Sequence, residues 1–169
     1  MFKVSPMPLM KGLEVCHSRI HGYGVKTIAP FKEGDILLYG DGVLYRDDDE
    51  FDDTYALIAP GYELDEDGNE GPPMYWDLTC QGRWINHSCE PNTLVDTAWN
   101  RKKKTISAWW MALRDIRVGE ELTYDYAFAA EVAEPCYCGA SQCRGLIIDP
   151  DEVDRIADHL RRYLKNVAA

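Results

Sequence analysis

Short apolar-rich segments separated by polar, Gly- and Pro-marked turns run through most of this chain, and 93–99 alternates apolar and polar residues with the period of a half-buried strand. Residues 13–18 and 25–29 also read as short strands, and 105–113 as a longer apolar one. The polar run Asn100-Arg101-Lys102-Lys103-Lys104 separates the last two and makes them a hairpin. Residues 36–44 read as one more strand, interrupted or bulged at Gly40 and Gly42. Residues 74–79 run as a strand into a motif-rich stretch, and 122–126 form a short strand or turn with Tyr124 and Tyr126 on one side. Helical period appears once, in the tail, where Val153, Ile156, Ala157, Leu160, Leu164 and Val167 mark one face. Asp149-Pro150-Asp151-Glu152 supplies its N-cap, a proline at the first position and a capping acid, so the pattern predicts a helix over 149–169. The expected class is mainly β with one C-terminal helix.

Length adds that the 169 residues suit one domain with one core. The net charge of -11 makes nucleic acid and anionic membranes poor partners and a basic peptide or protein a better one. Residues 1–12 are an extended lead-in without the apolar run of a signal peptide, and no stretch approaches the ~20 apolar residues of a membrane span. An intracellular chain, cytoplasmic or nuclear, is expected, with a secreted effector as the other option. Acidic residues crowd an insert over about 46–73: Asp47-Asp48-Asp49-Glu50 with Asp52 and Asp53, then Asp65-Glu66-Asp67 with Glu70. Gly and Pro punctuation makes this a solvated loop and hairpin, or an electrostatic lure for a Lys- or Arg-rich substrate. The basic tip at 101–104 is read as solvated. Trp109, Trp110 and Met111 form an apolar patch if that strand face is uncovered.

The chemistry concentrates in three places. Arg83-Trp84-Ile85-Asn86-His87-Ser88-Cys89-Glu90-Pro91-Asn92-Thr93 puts a paired Asn-His, a Cys and a Pro-Asn turn in one stretch. Gly22-Tyr23-Gly24 is either a plain hairpin turn or a place where backbone comes close to a ligand. Cys136, Cys138 and Cys143 are spaced Cys-x-Cys-x4-Cys, which in a reducing compartment argues for metal over disulfides. Three thiolates leave a tetrahedral zinc site one ligand short, and Cys89 is the best donor for the fourth. Such a closed site is structural and pins the tail onto the central stretch. Cys16 and Cys80 lie in predicted strands and read as buried thiols.

These segments, in this order, resemble the SET-domain protein lysine methyltransferases. Residues 20–25 look like that family's first cofactor loop, 83–92 like its most diagnostic motif, and 112–116 with 119–126 like its third. Cys136-x-Cys138-x4-Cys143-Arg144-Gly145 resembles its post-SET zinc tail. The resemblance implies a SET-domain fold of small curved sheets with a pseudoknot over 13–128, and a post-SET zinc loop over 134–148. It implies S-adenosylmethionine as methyl donor, structural Zn2+, and methyl transfer to a deprotonated lysine amine of a basic protein tail. Carried over by position, the backbone around Gly22, Tyr23 and Gly24 holds the donor's amino-acid end, and Arg83 and Tyr75 join the donor-binding set. Asn86 and His87 hold its ribose-adenine side, and Leu146 covers the adenine. Tyr126 becomes the catalytic tyrosine. Tyr124 stands at the Phe/Tyr switch, which implies mainly monomethylation. Tyr75 matches a family tyrosine offset by one, and the stretch before Arg83 is shorter than usual and lacks the family's Gly-Asn pair. The competing function is a non-catalytic module of the same fold that grips a basic tail.

Overall fold

The computed structural model describes residues 11–46, 48–64, 70–100, 102 and 105–167. Most of the lead-in, the second acidic block at 65–67, and Asp47, Arg101, Lys103 and Lys104 lie outside the described residues. Among the described residues, twelve short strands form five small sheets. β1 (Leu13–His17) pairs antiparallel with β2 (Tyr23–Thr27). β3 (Ile36–Tyr39), β9 (Thr105–Ala112) and β8 (Thr93–Asn100) form a second sheet in that order. β4 (Gly42–Arg46), β6 (Glu70–Leu78) and β5 (Ala56–Leu64) form a third. β7 (Asn86–His87) pairs parallel with β10 (Thr123–Tyr124), and β11 (Glu134–Pro135) pairs antiparallel with β12 (Leu146–Ile147). No described helix is long and apolar enough to cross a membrane.

The period-two reading holds best in β9, where Ile106, Ala108, Trp110 and Ala112 all point inward. They meet Leu13, Val25, Leu37, Trp76, Leu78, Ile85, Ile116 and Leu122 in one core. Each large apolar side chain enclosed there contributes about 1.5–3 kcal/mol. Trp110 belongs to this core, whereas Trp109 and Met111 are half-buried on the other face beside exposed Ile36 and Tyr39.

Two expectations change. Residues 36–44 are not one strand: β3 and β4 join different sheets, and the break falls at Gly40-Asp41. A Cβ at Gly40 would lie 2.8 Å from the Trp76 ring, and one at Gly42 2.6 Å from the Asp77 carbonyl oxygen. The two glycines let the chain cross tightly between sheets. The acidic insert does form a hairpin, β5 with β6, and Asp48, Asp49, Glu50, Asp52 and Asp53 are exposed on the loop before it.

The predicted helix over 149–169 is replaced by two 3-10 turns, Pro150–Arg155 and Asp158–Tyr163. The N-cap forms as expected, Asp149 accepting from the Asp151 N–H at 2.9 Å. Glu152, however, accepts from the Ala130 N–H at 2.7 Å and does not close a capping box. Ile156 is extended (φ -63, ψ 149), which turns its side chain into a second cluster with Ala130, Ala133, Leu146 and Ile148. The apolar spacing thus records contact with that cluster, and tertiary packing overrides the helical period. The end of the tail clasps the cysteine loop: the Lys165 N–H donates to Arg144 O at 2.8 Å, and the Asn166 side-chain Nδ2 donates to Ser141 O and Cys143 O. Gly145 (φ +81) permits this, since a Cβ there would fall 1.8 Å from the Tyr163 carbonyl oxygen. Gly145→Ala is expected to cost at least ~2 kcal/mol from backbone strain and displacement of the 158–167 segment, read as a lowered thermal midpoint.

Candidate functional site

The parallel pair organises the site. Thr123 stands opposite Asn86, and Tyr124 opposite His87. The Ser88 N–H donates to Tyr124 O at 3.1 Å. Asn92 extends the seam: its Nδ2 donates to Glu121 O at 2.8 Å, and its Oδ1 accepts from the Thr123 N–H at 2.9 Å. Thr93 Oγ1 donates to Thr123 O at 2.8 Å. The Pro-Asn turn therefore stitches the tyrosine segment along the length of the central motif.

Asn86 ties the glycine loop to that seam. Its Nδ2 donates to Tyr23 O at 2.8 Å, to His21 O at 3.2 Å and to Glu121 Oε1 at 3.0 Å. Ser18 Oγ donates to the same carboxylate oxygen at 2.6 Å. A Cβ on Gly24 would lie 2.3 Å from Glu121 Oε1, so glycine at 24 is what lets the carboxylate reach both partners. Gly22 (φ +49) faces open space, and the Tyr23 ring beside it is half exposed. Tyr23 stacks on His17 at 5.0 Å and meets Trp84 at 5.4 Å. This leaves an open, aromatic-edged shelf beside the loop backbone, which fits a ligand with a cationic sulfonium and an amino-acid end.

The tyrosines stand together. The Tyr126 and Tyr124 rings lie 4.7 Å apart, Phe128 is 5.6 Å from Tyr126, and Trp110 stands edge-on to Tyr124 at 6.2 Å. The Tyr126 hydroxyl donates to Ile85 O at 3.0 Å, and its N–H donates to His87 Nδ1 at 3.2 Å. Burial pushes the Tyr126 phenol up to about 12, aided by Tyr55 and Glu121, and burial raises Tyr124 as well. Both hydroxyls are neutral at physiological pH.

The sulfur cluster closes the third side. Ligand atoms of His87, Cys89, Cys136 and Cys138 lie within 4.8 Å of one another, with Cys89 and Cys136 sulfurs 3.7 Å apart. Cys143 adjoins Cys138, and its sulfur accepts from the Gly145 N–H at 3.3 Å. Burial opposes ionisation of Cys138, but the N–H groups of Cys89 and Ala140 and the Cys136 and Cys143 thiols bring it down to about 7. Burial pushes Cys89 up to about 11. Soft, convergent thiols of this kind suit zinc. Arg144 anchors the loop, its Nη2 donating to Asp125 Oδ1 at 2.7 Å and its N–H to Cys89 Sγ at 3.3 Å.

The remaining expected site residues separate. Arg83 lies 4.0 Å over the Tyr55 ring and 5.4 Å from Trp84, between the acidic insert and the central motif. Tyr75 belongs to the β4-β6-β5 sheet, 5.7 Å from Phe51 in an aromatic row with Tyr45. Leu146 is fully enclosed in the second cluster. Cys80 is a buried thiol accepting from the Asp41 N–H at 3.4 Å, and Cys16 is half-buried in β1. Sequence reading missed Glu121, Tyr55 and the Asp125-Arg144 pair. Glu121 and Asp125 carried a signal as acids within the 119–126 match, and Arg144 as part of the cysteine-tail match; Tyr55 lies in the irregular insert.

Residues 22–127 match the SET-domain family model. A fission yeast (Schizosaccharomyces pombe) histone-lysine N-methyltransferase, H3 lysine-4 specific, is 35% identical over 81% of this chain and 15% of its own length. The rice (Oryza sativa subsp. japonica) histone-lysine N-methyltransferase TRX1 is 36% identical over 78% of this chain and 13% of its own. The chain thus spans about a seventh of these relatives. The crystal structure of Arabidopsis thaliana SUVH6 in complex with SAM superposes with a TM-score of 0.66 at 24% identity, covering 80% of this chain and 33% of that one, and shares its fold. The family match runs from the glycine loop to the residue after Tyr126, the same stretch that Asn86, Asn92 and the parallel pair knit together, and the chain belongs to the SET-domain family.

Proposed function

We propose that this chain transfers a methyl group from S-adenosylmethionine to a lysine amine on a basic protein segment. The observation that carries this reading is the parallel pair, which holds Tyr126 against His87 with ring centroids 5.4 Å apart while Asn86 holds the glycine loop. Bound S-adenosylmethionine supplies an electrophilic methyl on a sulfonium. Gly22, Tyr23 and Gly24 with Arg83 would hold its amino-acid end. Because the Asn86 and His87 side chains bond the loop, Glu121 and Tyr126, their contacts to it fall to main-chain atoms. Leu146 would back its adenine side, and Tyr75 is the weakest member of the set by its position on the outer sheet.

The chain's own work is to align and desolvate the amine. Tyr124, Tyr126 and Phe128, with Tyr55 near the Tyr126 phenol, wall an aromatic recess. Burial in this recess strips water from the ammonium and disfavours it, so lysine, with an ordinary pKa near ~10.4, enters more readily as the amine. The Tyr126 proton is engaged by Ile85 O, leaving lone pairs on its oxygen to accept from the amine's N–H. Alignment of this kind contributes on the order of ~7 kcal/mol in favourable cases. A structural zinc held by Cys89, Cys136, Cys138 and Cys143 would fix the loop over 134–148. The acidic insert favours a basic substrate, histone tails being the first to test, in the cytoplasm or nucleus.

Tyr124 narrows the recess, and its hydroxyl leaves less room for an already methylated amine. Mass spectrometry of histone peptides incubated with the donor is expected to show mainly monomethyl-lysine, with Tyr124→Phe shifting product to higher methylation. Absence of any methylated lysine across basic peptides and histones, from zinc-loaded protein that binds the donor, would refute the enzymatic reading.

A further inference from the structure

His87 stands between the tyrosine segment and the sulfur cluster and touches both. Its Nδ1 is 3.2 Å from the Tyr126 amide nitrogen, and its Nε2 is 3.4 Å from Cys89 Sγ. The imidazole is 4% exposed, so each ring nitrogen has a fixed neighbour. The Tyr126 N–H cannot rotate away, and its hydrogen occupies the Nδ1 lone pair. The ring proton of the neutral imidazole must then sit on Nε2. Asp125 Oδ1 is also 3.4 Å from Nδ1, but that oxygen already accepts from Arg144 Nη2 at 2.7 Å and from the Ala127 N–H at 3.1 Å. A protonated Nε2 has no lone pair for a metal. It faces Cys89 Sγ as a donor, beside the Arg144 N–H that reaches the same sulfur at 3.3 Å.

We propose that His87 is a positioning residue that joins metal and tyrosine: Nε2–H donates to the Cys89 thiolate while Nδ1 accepts from the Tyr126 amide, so metal loading and the setting of Tyr126 are one event. The inference rests on the methyltransferase reading for its significance, but not for its test. His87 lies within ligand distance of Cys89, Cys136 and Cys138, a group to which Cys143 does not belong; its tautomer excludes it from coordination, and Cys143, which adjoins Cys138, is the thiol left for the fourth position. Donors outside the coordination sphere orient metal ligands, and their loss typically changes affinity about 10–100-fold.

Cobalt(II) substitution and chelator-driven zinc release test this without reference to methyl transfer. His87→Asn keeps an acceptor near the Nδ1 position and lacks the donor to sulfur; His87→Gln keeps a donor near Nε2. The wild-type cobalt protein is expected to show a four-thiolate spectrum, retained in both variants. His87→Asn should shift the sulfur-to-cobalt charge-transfer band and lose zinc about 10-fold faster or more, and His87→Gln should recover most of that rate. Zinc removal from the wild type should raise amide exchange in a peptide spanning 123–128. A three-thiolate, one-imidazole spectrum in the wild type, lost on either His87 substitution, would overturn the proposal, as would 123–128 exchange that ignores the metal. If the His87 variants do not fold, Cys143→Ser decides: it should remove one thiolate signature, and an unchanged spectrum would make His87 the ligand. A chain that passes these tests and moves no methyl would sink the proposed function and leave this coupling intact.

Discussion

Tyr126→Phe lowers methyl transfer by about two to three orders of magnitude while donor affinity changes little, as measured by single-turnover transfer beside calorimetry. The hydroxyl removed is the one polar group of the ring aimed between Ile85 O and the aromatic recess. Loss of one preorganised polar group at a reacting centre typically costs about 10²–10³ in rate. The ring itself persists, so packing against Tyr124 and Phe128 is retained and the fold should be unaffected. The pH profile separates the phenol from the lysine. Burial holds the Tyr126 phenol up at about 12, so it remains protonated through the range in which lysine loses its proton. Rate should rise with pH toward ~10 without a falling limb from this phenol. A fall near pH 9 in protein that stays folded would show that an ionising group other than Tyr126 controls the step.

Chelation of the metal is expected to lower the thermal midpoint by roughly 10 °C or more and to abolish donor binding. A structural zinc in small domains contributes up to about 10–16 kcal/mol, and in a chain of this size each kcal/mol moves the midpoint by about 2–4 °C. The loss spreads because Cys89 belongs to the central motif and Cys136, Cys138 and Cys143 to the tail. Without the ion, the buried Cys136 and the half-buried Cys89, Cys138 and Cys143 lose what holds them together, and the Arg144 bond to Cys89 loses its charge assistance. Differential scanning with and without a chelator, then with zinc restored, measures this. An unchanged midpoint on complete removal of metal would contradict a structural site.

The parts of this architecture visible in sequence share one property: their chemistry is local. The cysteine spacing, the Asn-His pair, the β8–β9 hairpin and the alternation in β9 are each written within a few residues. What escaped reading depends on distant partners. Gly40 and Gly42 look like bulges until Trp76 and the Asp77 carbonyl are known to lie against them. Glu121 looks like one more surface acid until Ser18 and Asn86 converge on it from positions far apart in sequence. The tail has helical spacing, but the cluster around Leu146 and Ile148 draws Ile156 inward and breaks the helix into two turns. Tyr55 had no pattern at all, since the irregular acidic loop that carries it becomes meaningful only where Arg83 stacks on its ring.

The placement of Trp110 also makes the molecule self-reporting. It is fully enclosed, edge-on to Tyr124, whereas half-buried Trp84 lies against Tyr23 and Tyr55. With Trp76, Trp99 and Trp109 replaced by phenylalanine, ultraviolet emission should therefore divide into a blue, shielded component from the recess and a redder one from the shelf, so that filling either volume leaves a different optical trace without any added dye.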